Sequence, residues 1–591
     1  MKADFRTGRL AILVCGIVFG LLKTSEAAKA PMSLAELDQK AELIVRGQVI
    51  SVDSRTQKSQ IETGIGIFRD RVFTLKVKVG EIKKGQGITE GETIEVRAWK
   101  PHVRVPSLPG LQGHESIPAP GEEAEFFLKA AKDGGYEPLL PNGIALSKEP
   151  AREENSPGAK EKNSAHPAPN IILIMADDLG YMDLGCYGHP QIKTPVLDEL
   201  AGNGAQLTSF YSGATVCTPS RMALLTGAYP SRFGWEQGVI GFKMTLDMGL
   251  SPEVVTAAEV FKAAGYRTGL VGKWHLGDRS PFLPNAQGFD ETYYINKSNN
   301  QTDEIWRDGA LIEKPFVNRL LTEKFAGEAR EFIKRNSEKR FFLYLPFSAP
   351  HFPVEAHPDW EEKSEFGAYG DVVEELDSRI GEIITTLREE KIHDQTMIIF
   401  LSDNGPQPGE KAQSGPFNGA KWDAMEGGTR VPCIVSWPGI IPAGTVIDEL
   451  TAAIDLLPTM AEASGINPAT ILPPESWQKM DGLSFLGTLT QKTDGYRHPR
   501  NELLYWHGSK GFQAIRVGNW KLFPHGVDNT VRNRKSPVFG PRLFNLATDP
   551  GETKDLSKTH PEKIEAIRKI MDEKLSSIDK HSIPIGIFQR P

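Results

Sequence analysis

Cysteine is scarce, four in 591 residues, which excludes a disulfide-dense scaffold. A basic excess is also missing. Lys and Arg number 68 against 76 Asp and Glu, a formal net charge of −8, so a general nucleic-acid binder with a basic face is excluded. No apolar run is long enough for a comfortable membrane span, the 57 glycines show no collagen period, and no internal repeat is visible. What remains is an ordinary globular composition, 39% hydrophobic and 24% charged. The length allows up to four domains, although α/β enzymes often hold more residues in one.

Lys2, Arg6 and Arg9 precede an apolar run from Leu10 to Leu22, and Ala28-Lys29-Ala30 offers a small-residue cleavage site. That order predicts a secretory signal peptide over 1–30, hence a periplasmic or secreted protein with no membrane span after cleavage. An uncleaved N-terminal anchor is the other reading. Cleavage removes Cys15 and leaves Cys186, Cys217 and Cys433, so at least one thiol lies outside any intramolecular disulfide. Cys186 and Cys433 are expected to be free or weakly paired.

Residues 31–147 read as short strands. Phe73, Leu75, Val77 and Val79 alternate with Thr74, Lys76 and Lys78, and Ile94 to Ala98 and Ala124 to Leu128 repeat the alternation. A small all-β module is predicted, OB-like or a sandwich, with no cluster of His, Cys or paired carboxylates. Residues 148–168 have almost nothing to bury and read as a linker. From 169 the pattern changes. Ile171 to Met175 is an unbroken apolar run, as are Thr268 to Val271, Phe341 to Phe347, Met397 to Leu401 and Val431 to Val435. Such runs suit strands buried on both faces. Helical periods lie between them, one opened by a Thr194-Pro195 cap and one built on Val373, Leu376, Ile380, Ile383 and Leu387. Residues 169–480 are therefore an α/β domain with a mainly parallel sheet. Residues 481–591 form a smaller α+β subdomain, with strands near Leu503, Phe512, Trp520 and Leu543 and a helix from Pro561 to Ser577.

Ligands of such sheets bind beyond the carboxyl ends of the strands. There the sequence places Asp177-Asp178, Lys273 with His275, His351, and Asp403-Asn404. Each alone has a plain reading as a turn or a hydrogen-bonding histidine, but successive strand ends carry them all. Two like charges about 4 Å apart cost roughly 4 kcal/mol at an effective dielectric of about 20. A divalent cation removes that repulsion. Asp177, Asp178, Asp403 and the Asn404 amide are hard oxygen donors, suited to calcium and less well to magnesium. Zinc would want more imidazole or thiolate.

Cys217-Thr218-Pro219-Ser220-Arg221 should open a helix at Cys217, where N–H groups favour anions and Arg221 returns to the same face. A low-pKa thiolate nucleophile, a residue modified afterwards and a buried structural thiol all fit this pattern.

C-T-P-S-R at Cys217 to Arg221, G-Y-x-T-x-x-x-G-K-W-H-L-G at Gly265 to Gly277, and Leu543-Phe544-Asn545-Leu546 with Asp549-Pro550 and Glu552 resemble the type I sulfatases, of arylsulfatase and N-acetylgalactosamine-6-sulfatase kind. The resemblance spans Pro169 to Ser577 and leaves out the N-terminal module. It implies an alkaline-phosphatase-like core and hydrolysis of a sulfate ester, with a sulfated carbohydrate or small molecule as substrate. It also implies that a separate maturing enzyme oxidises Cys217 to formylglycine, whose hydrate attacks sulfur through one hydroxyl and expels sulfate through the other. By the same resemblance Asp177, Asp178, Asp403, Asn404 and modified Cys217 hold calcium, and Arg221 steadies residue 217. Lys273, Lys421 and His351 bind the sulfate. His351 also serves the leaving group, and His275 is the base. Formylglycine-dependent phosphodiester or phosphonate monoester hydrolysis is the nearest alternative. A binding protein on an inactive sulfatase fold is opposed by the intact set of site residues.

Overall fold

The structure, a computed structural model, describes residues 34–58, 67–105, 123–131, 135–139, 144–146, 167–236, 238–242, 245, 247–468, 480–492, 496–527, 538–580 and 582–588. The signal-peptide expectation and most of the linker expectation lie outside the described residues. The chain divides into two compact units, Met1–Ala159 and Lys160–Pro591.

The first unit holds α1 (Leu34–Lys40) and strands β1 (Leu43–Lys58), β2 (Ile67–Lys84), β3 (Thr93–Val105), β4 (Glu123–Ala130), β5 (Tyr136–Pro138) and β6 (Ile144–Leu146). Strand β1 pairs with both β2 and β4, β2 with β3, β3 with β5, and β5 with β4. Five strands therefore close into a barrel, which removes free sheet edges. The alternating residues point inward as their period requires, with Val45, Leu75, Val77, Val96, Phe126 and Leu128 in one core. Helix α1 departs from the all-β reading. Its seven residues are too few to show a helical period, and it buries Leu37 against Ala41, Ile44 and Phe127.

The second unit is built on a sheet of ten strands. In chain order these are β7 (Asn170–Ala176), β8 (Ala205–Leu207), β11 (Arg267–Lys273), β12 (Glu291–Ile295), β13 (Ile305–Arg307), β14 (Ala310–Glu313), β15 (Phe341–Pro346), β16 (Thr396–Ser402), β17 (Cys433–Ser436) and β18 (Thr445–Ile447), with two-residue pairs β9 (Phe210–Tyr211) and β10 (Met248–Gly249) outside it. The spatial order is β14-β13-β12-β11-β15-β7-β16-β17-β8-β18. The middle five, β12 to β16 in that order, run parallel. Their carboxyl ends form one edge. Ile171, Leu173 and Met175 face one core while Ile172, Ile174 and Ala176 face the other, so β7 is buried on both sides and its unbroken apolar run is explained.

Helices α2 (Pro195–Gly202), α5 (Leu321–Asn336) and α6 (Ala368–Glu389) cover one face. Helices α3 (Cys217–Thr226) and α4 (Ala257–Ala263) cover the other. The α2 cap differs from expectation. The Thr194 side chain makes no cap bond; Asp377 of α6 instead accepts from the N–H groups of Val196 and Leu197 at 3.1 and 2.8 Å. Past residue 500, four antiparallel strands, Glu502–His507, Gly511–Val517, Trp520–Phe523 and Arg542–Asn545, are followed by the helix Pro561–Lys580.

Candidate active site and metal centre

Each parallel strand delivers its last residues to the same place. Asp177 and Asp178 follow β7, Lys273 ends β11, Asp403 and Asn404 follow β16, and His351 lies five residues past β15. Gly272 lets β11 come this close to β15. Its φ is +130°, and a Cβ there would meet the Pro346 carbonyl oxygen at 1.9 Å.

All ten residues singled out from the sequence are buried, and the structure brings them together. One ligand atom from each of Asp177, Asp178, Cys217 and His351 lies within 4.8 Å of the others. Cys217 Sγ is 3.5 Å from Asp177 Oδ1. Lys273 Nζ donates to Asp177 Oδ2 at 2.5 Å, and Lys421 Nζ to Asp178 at 2.7 Å. Arg221 donates through Nε and Nη2 to Asp403 Oδ2 at 3.1 and 2.8 Å, and through Nη1 to the Lys273 carbonyl at 2.8 Å. Asp403 Oδ1 accepts from the Asp178 N–H at 3.2 Å, and Asn404 Nδ2 donates to Asp178 Oδ1 at 2.7 Å. His351, which the sequence reading assigned to sulfate and leaving group, thus joins the tight four-atom group. Asp403 and Asn404 adjoin that group through Asp178.

The electrostatics follow from burial opposed by neighbours. Burial alone would raise the Asp177 carboxyl, but Lys273, His351, Arg221 and Lys421 together hold it well below the usual range. Burial and the charge of Asp177 push Asp403 up to about 6, against the pull of Arg221. Burial carries the Cys217 thiol up to about 12 despite Lys273 and Lys421. This corrects the low-pKa thiolate reading: a helix start cannot ionise a thiol so enclosed, and unmodified Cys217 is a poor nucleophile. His351 is lowered to about 4, mainly by burial. Its Nδ1–H donates to the Phe352 carbonyl at 2.7 Å, leaving Nε2 facing Asp178 at 3.7 Å. His275 is driven well down by burial and by Lys273; its Nε2–H donates to the Ile240 carbonyl at 2.7 Å, and its buried Nδ1 has no partner.

The donor set fits a hard divalent cation. Carboxylates crowd one point, and the buried Asn404 Oδ1, a neutral oxygen donor, has no hydrogen-bond partner. Three further residues stand beside this group. Thr218 Oγ1 donates to the His275 carbonyl at 3.0 Å and ties the helix start to the histidine. Asn296 and Asn299 lie past β12, a strand whose Glu-Thr-Tyr-Tyr-Ile letters hide its place beside Lys273. Asn296 is buried. Cys186, Cys217 and Cys433 are all free thiols.

A parallel sheet with buried acids, lysines and a cysteine-headed helix at its carboxyl edge defines a hydrolase of the alkaline-phosphatase-like class. A family model described as Sulfatase matches residues 169–466, and the chain belongs to the sulfatase family: it is a sulfuric ester hydrolase. It is 34% identical to N-acetylgalactosamine-6-sulfatase of Sus scrofa over 458 residues, 68% of this chain and 84% of that one. Arylsulfatase A of Homo sapiens is 33% identical over 452 residues, covering 68% and 87%. Among solved structures it is similar to the PsFucS1 sulfatase from Pseudoalteromonas sp., with TM-score 0.63, 26% identity, and 70% and 91% of the two chains covered. It is also similar to Ps i-CgsB in complex with k-i-k-neocarrahexaose, with TM-score 0.58, 27% identity, and 70% and 94% covered.

Proposed function

We propose that this sulfatase releases sulfate from a sulfated carbohydrate, using calcium and a formylglycine made from Cys217 by a separate maturing enzyme. The observation that carries this is the approach of Lys273 and Lys421 to the buried Asp177–Asp178–Cys217–His351 group. Fixed ammonium groups in a water-poor pocket bind a sulfate monoanion strongly. The names of the relatives above support a sulfated sugar as substrate.

Asp177, Asp178, Asp403, Asn404 and residue 217 would hold the calcium, which when bound offsets carboxylate repulsion and draws charge from sulfate oxygens. The modified side chain would supply one hydroxyl to attack sulfur and a second whose ionisation lets sulfate depart. The protein's own groups do the rest. Lys273 and Lys421 hold sulfate oxygens, and Arg221 keeps Asp403 in place. His351, its Nδ1–H held by the Phe352 carbonyl, presents Nε2 to the leaving oxygen; the negative charge of the bound sulfate favours uptake of a solvent proton at Nε2, and that proton passes to the leaving alcohol. His275 takes a proton at Nδ1, its only open ring nitrogen. Overall, ester and water give an alcohol and hydrogen sulfate.

Export is part of the proposal and rests on the 1–30 pattern. Among the described residues no helix is long and apolar enough to cross a membrane. The test is mass spectrometry of the Cys217 peptide with parallel assays on an aryl sulfate, an aryl phosphate and an aryl phosphonate. An aldehyde-mass peptide and sulfate release are expected. Active protein carrying only the thiol, or preference for the phosphorus esters, would sink the proposal.

A further inference from the structure

The site is not buried evenly. Asp177, Arg221, Lys273, His275, Asp403 and Asn404 are 0% exposed, whereas Lys421 retains 4% and His351 5%. The group that a bound sulfate is attached to therefore leaves past Lys421 and His351. What flanks those two residues decides which alcohol fits.

Asn299 stands on the His351 side, and Asn296 at the strand end beside Lys273. Asn296 directly follows Ile295, which is in register with Lys273, and the Trp274 N–H donates to the Ile295 carbonyl at 2.9 Å. Asn299 Nδ2 donates to Asn318 Oδ1 at 2.8 Å and reaches the His351 carbonyl at 3.5 Å, which fixes the amide's orientation. The Oδ1 atoms of both asparagines are buried and accept no hydrogen bond. An unpaired buried acceptor is costly to keep, and two beside one active site suit donors that arrive with the substrate.

On the Lys421 side stands Trp422. Its φ is +78°, a left-handed backbone that bulky residues avoid. The strained residue packs its half-buried indole against Val216, Cys217 and Val239, with the His507 ring centred 5.9 Å away. Its N–H donates to the Thr215 carbonyl at 3.0 Å, pinning the turn immediately before the cysteine-headed helix.

We propose that Asn296, Asn299 and Trp422 select a pyranose as the leaving alcohol, Trp422 presenting an aromatic face to ring C–H groups while the asparagine oxygens accept two ring hydroxyls. The proposal rests on the sulfatase reading of the site and adds the residues that read the sugar. An aryl or steryl alcohol has no hydroxyls for Asn296 and Asn299, and a site built to accept hydrogen bonds discriminates against a group lacking them.

The test compares p-nitrophenyl sulfate with a panel of monosulfated methyl hexosaminides, on wild type, Asn296→Leu and Trp422→Asn. Asparagine tolerates a left-handed backbone, so Trp422→Asn should keep its turn. Asn296→Leu should lower kcat/KM on the preferred sugar by about tenfold or more, and on the aryl sulfate by less than about threefold. Trp422→Asn should raise KM for the sugar more than it lowers kcat, and leave inhibition by inorganic sulfate unchanged. Equal losses on both substrates in Asn296→Leu, or weakened sulfate inhibition in Trp422→Asn, would overturn the proposal. So would a wild type that hydrolyses the aryl sulfate and none of the sugars, with the sulfatase reading intact. A wild type that hydrolyses neither would overturn that reading as well.

Discussion

Two buried ion clusters in the second unit use the same residue types to different ends. At the carboxyl edge of the sheet, Asp177, Asp178 and Asp403 face Arg221, Lys273 and Lys421. Under the C-terminal sheet, Lys521 sits between Glu426 and Glu552 at 3.0 and 2.9 Å. Glu426 also accepts from Tyr211 at 2.5 Å, while Glu552 Oε2 takes the Glu426 N–H at 2.7 Å. Lys521, Arg430 and Arg516 outweigh burial and hold Glu426 at about 2; burial carries Glu552 up to about 7. The second cluster is centred on the Lys521 ammonium. The first leaves Asn404 Oδ1 and His275 Nδ1 without partners. Equal burial and charge therefore do not identify a catalytic centre; the first cluster is set apart by its place at the carboxyl ends of the parallel strands and by the oxygen, sulfur and imidazole ligand atoms it crowds together.

The sharpest way to break the comparison is Cys217→Ala. Sulfate release should fall by about a thousandfold or more, with the urea midpoint almost unmoved. Lys521→Met should do the reverse. It strands Glu426 beside Glu552 and should cost about 3–5 kcal/mol of unfolding free energy, read by denaturant titration, while turnover per folded molecule persists. Metal removal comes next. Chelation should abolish activity and lower stability, and calcium at about 100 times its Kd should return about 2.7 kcal/mol. Lys521→Met should keep that calcium increment and Asp178→Asn should lose it.

The smallest effect concerns a carboxylate in neither cluster. Burial pushes Asp377, the α2 cap, up to about 7, with Asp198 and Glu374 adding to the rise. A folded-state pKa above the unfolded one makes this group's contribution to stability greatest below about pH 4 and lost as pH rises through about 7. Wild type should therefore lose more thermal stability between pH 5 and pH 8 than Asp377→Asn. An equal loss in both would show that Asp377 ionises normally in the fold.

The first cluster was largely legible in the sequence because doubly buried parallel strands spell unbroken apolar runs, and their ends can be read letter by letter. Asp177, His351 and Asp403 stand out for that reason. Strand β12 is short, begins with Glu291 and Thr292, and gives no such run, so Asn296 and Asn299 are legible only as part of a variable loop, 296–302, that would line the substrate pocket. Glu426, Lys521 and Glu552 show no local pattern, since Lys521 meets a partner 95 residues away. The strain at Trp422 is a backbone property that no letter encodes. The Thr194 cap failed for a related reason: a distant side chain, Asp377, took the role that local sequence assigned to a neighbour.

The topology also imposes a schedule. Strand β7 meets β15 across a separation of 171 residues, and Asp178 meets Asn404 across 226. At roughly 5–20 residues per second of synthesis, Asp178 waits about 10–45 s for that partner to be made. Until then the segment carrying Cys217 has no sheet edge to pack on. In the finished fold that side chain is 1% exposed, so a bulky macromolecular agent acting on its sulfur has its freest access in the interval before the sheet is complete.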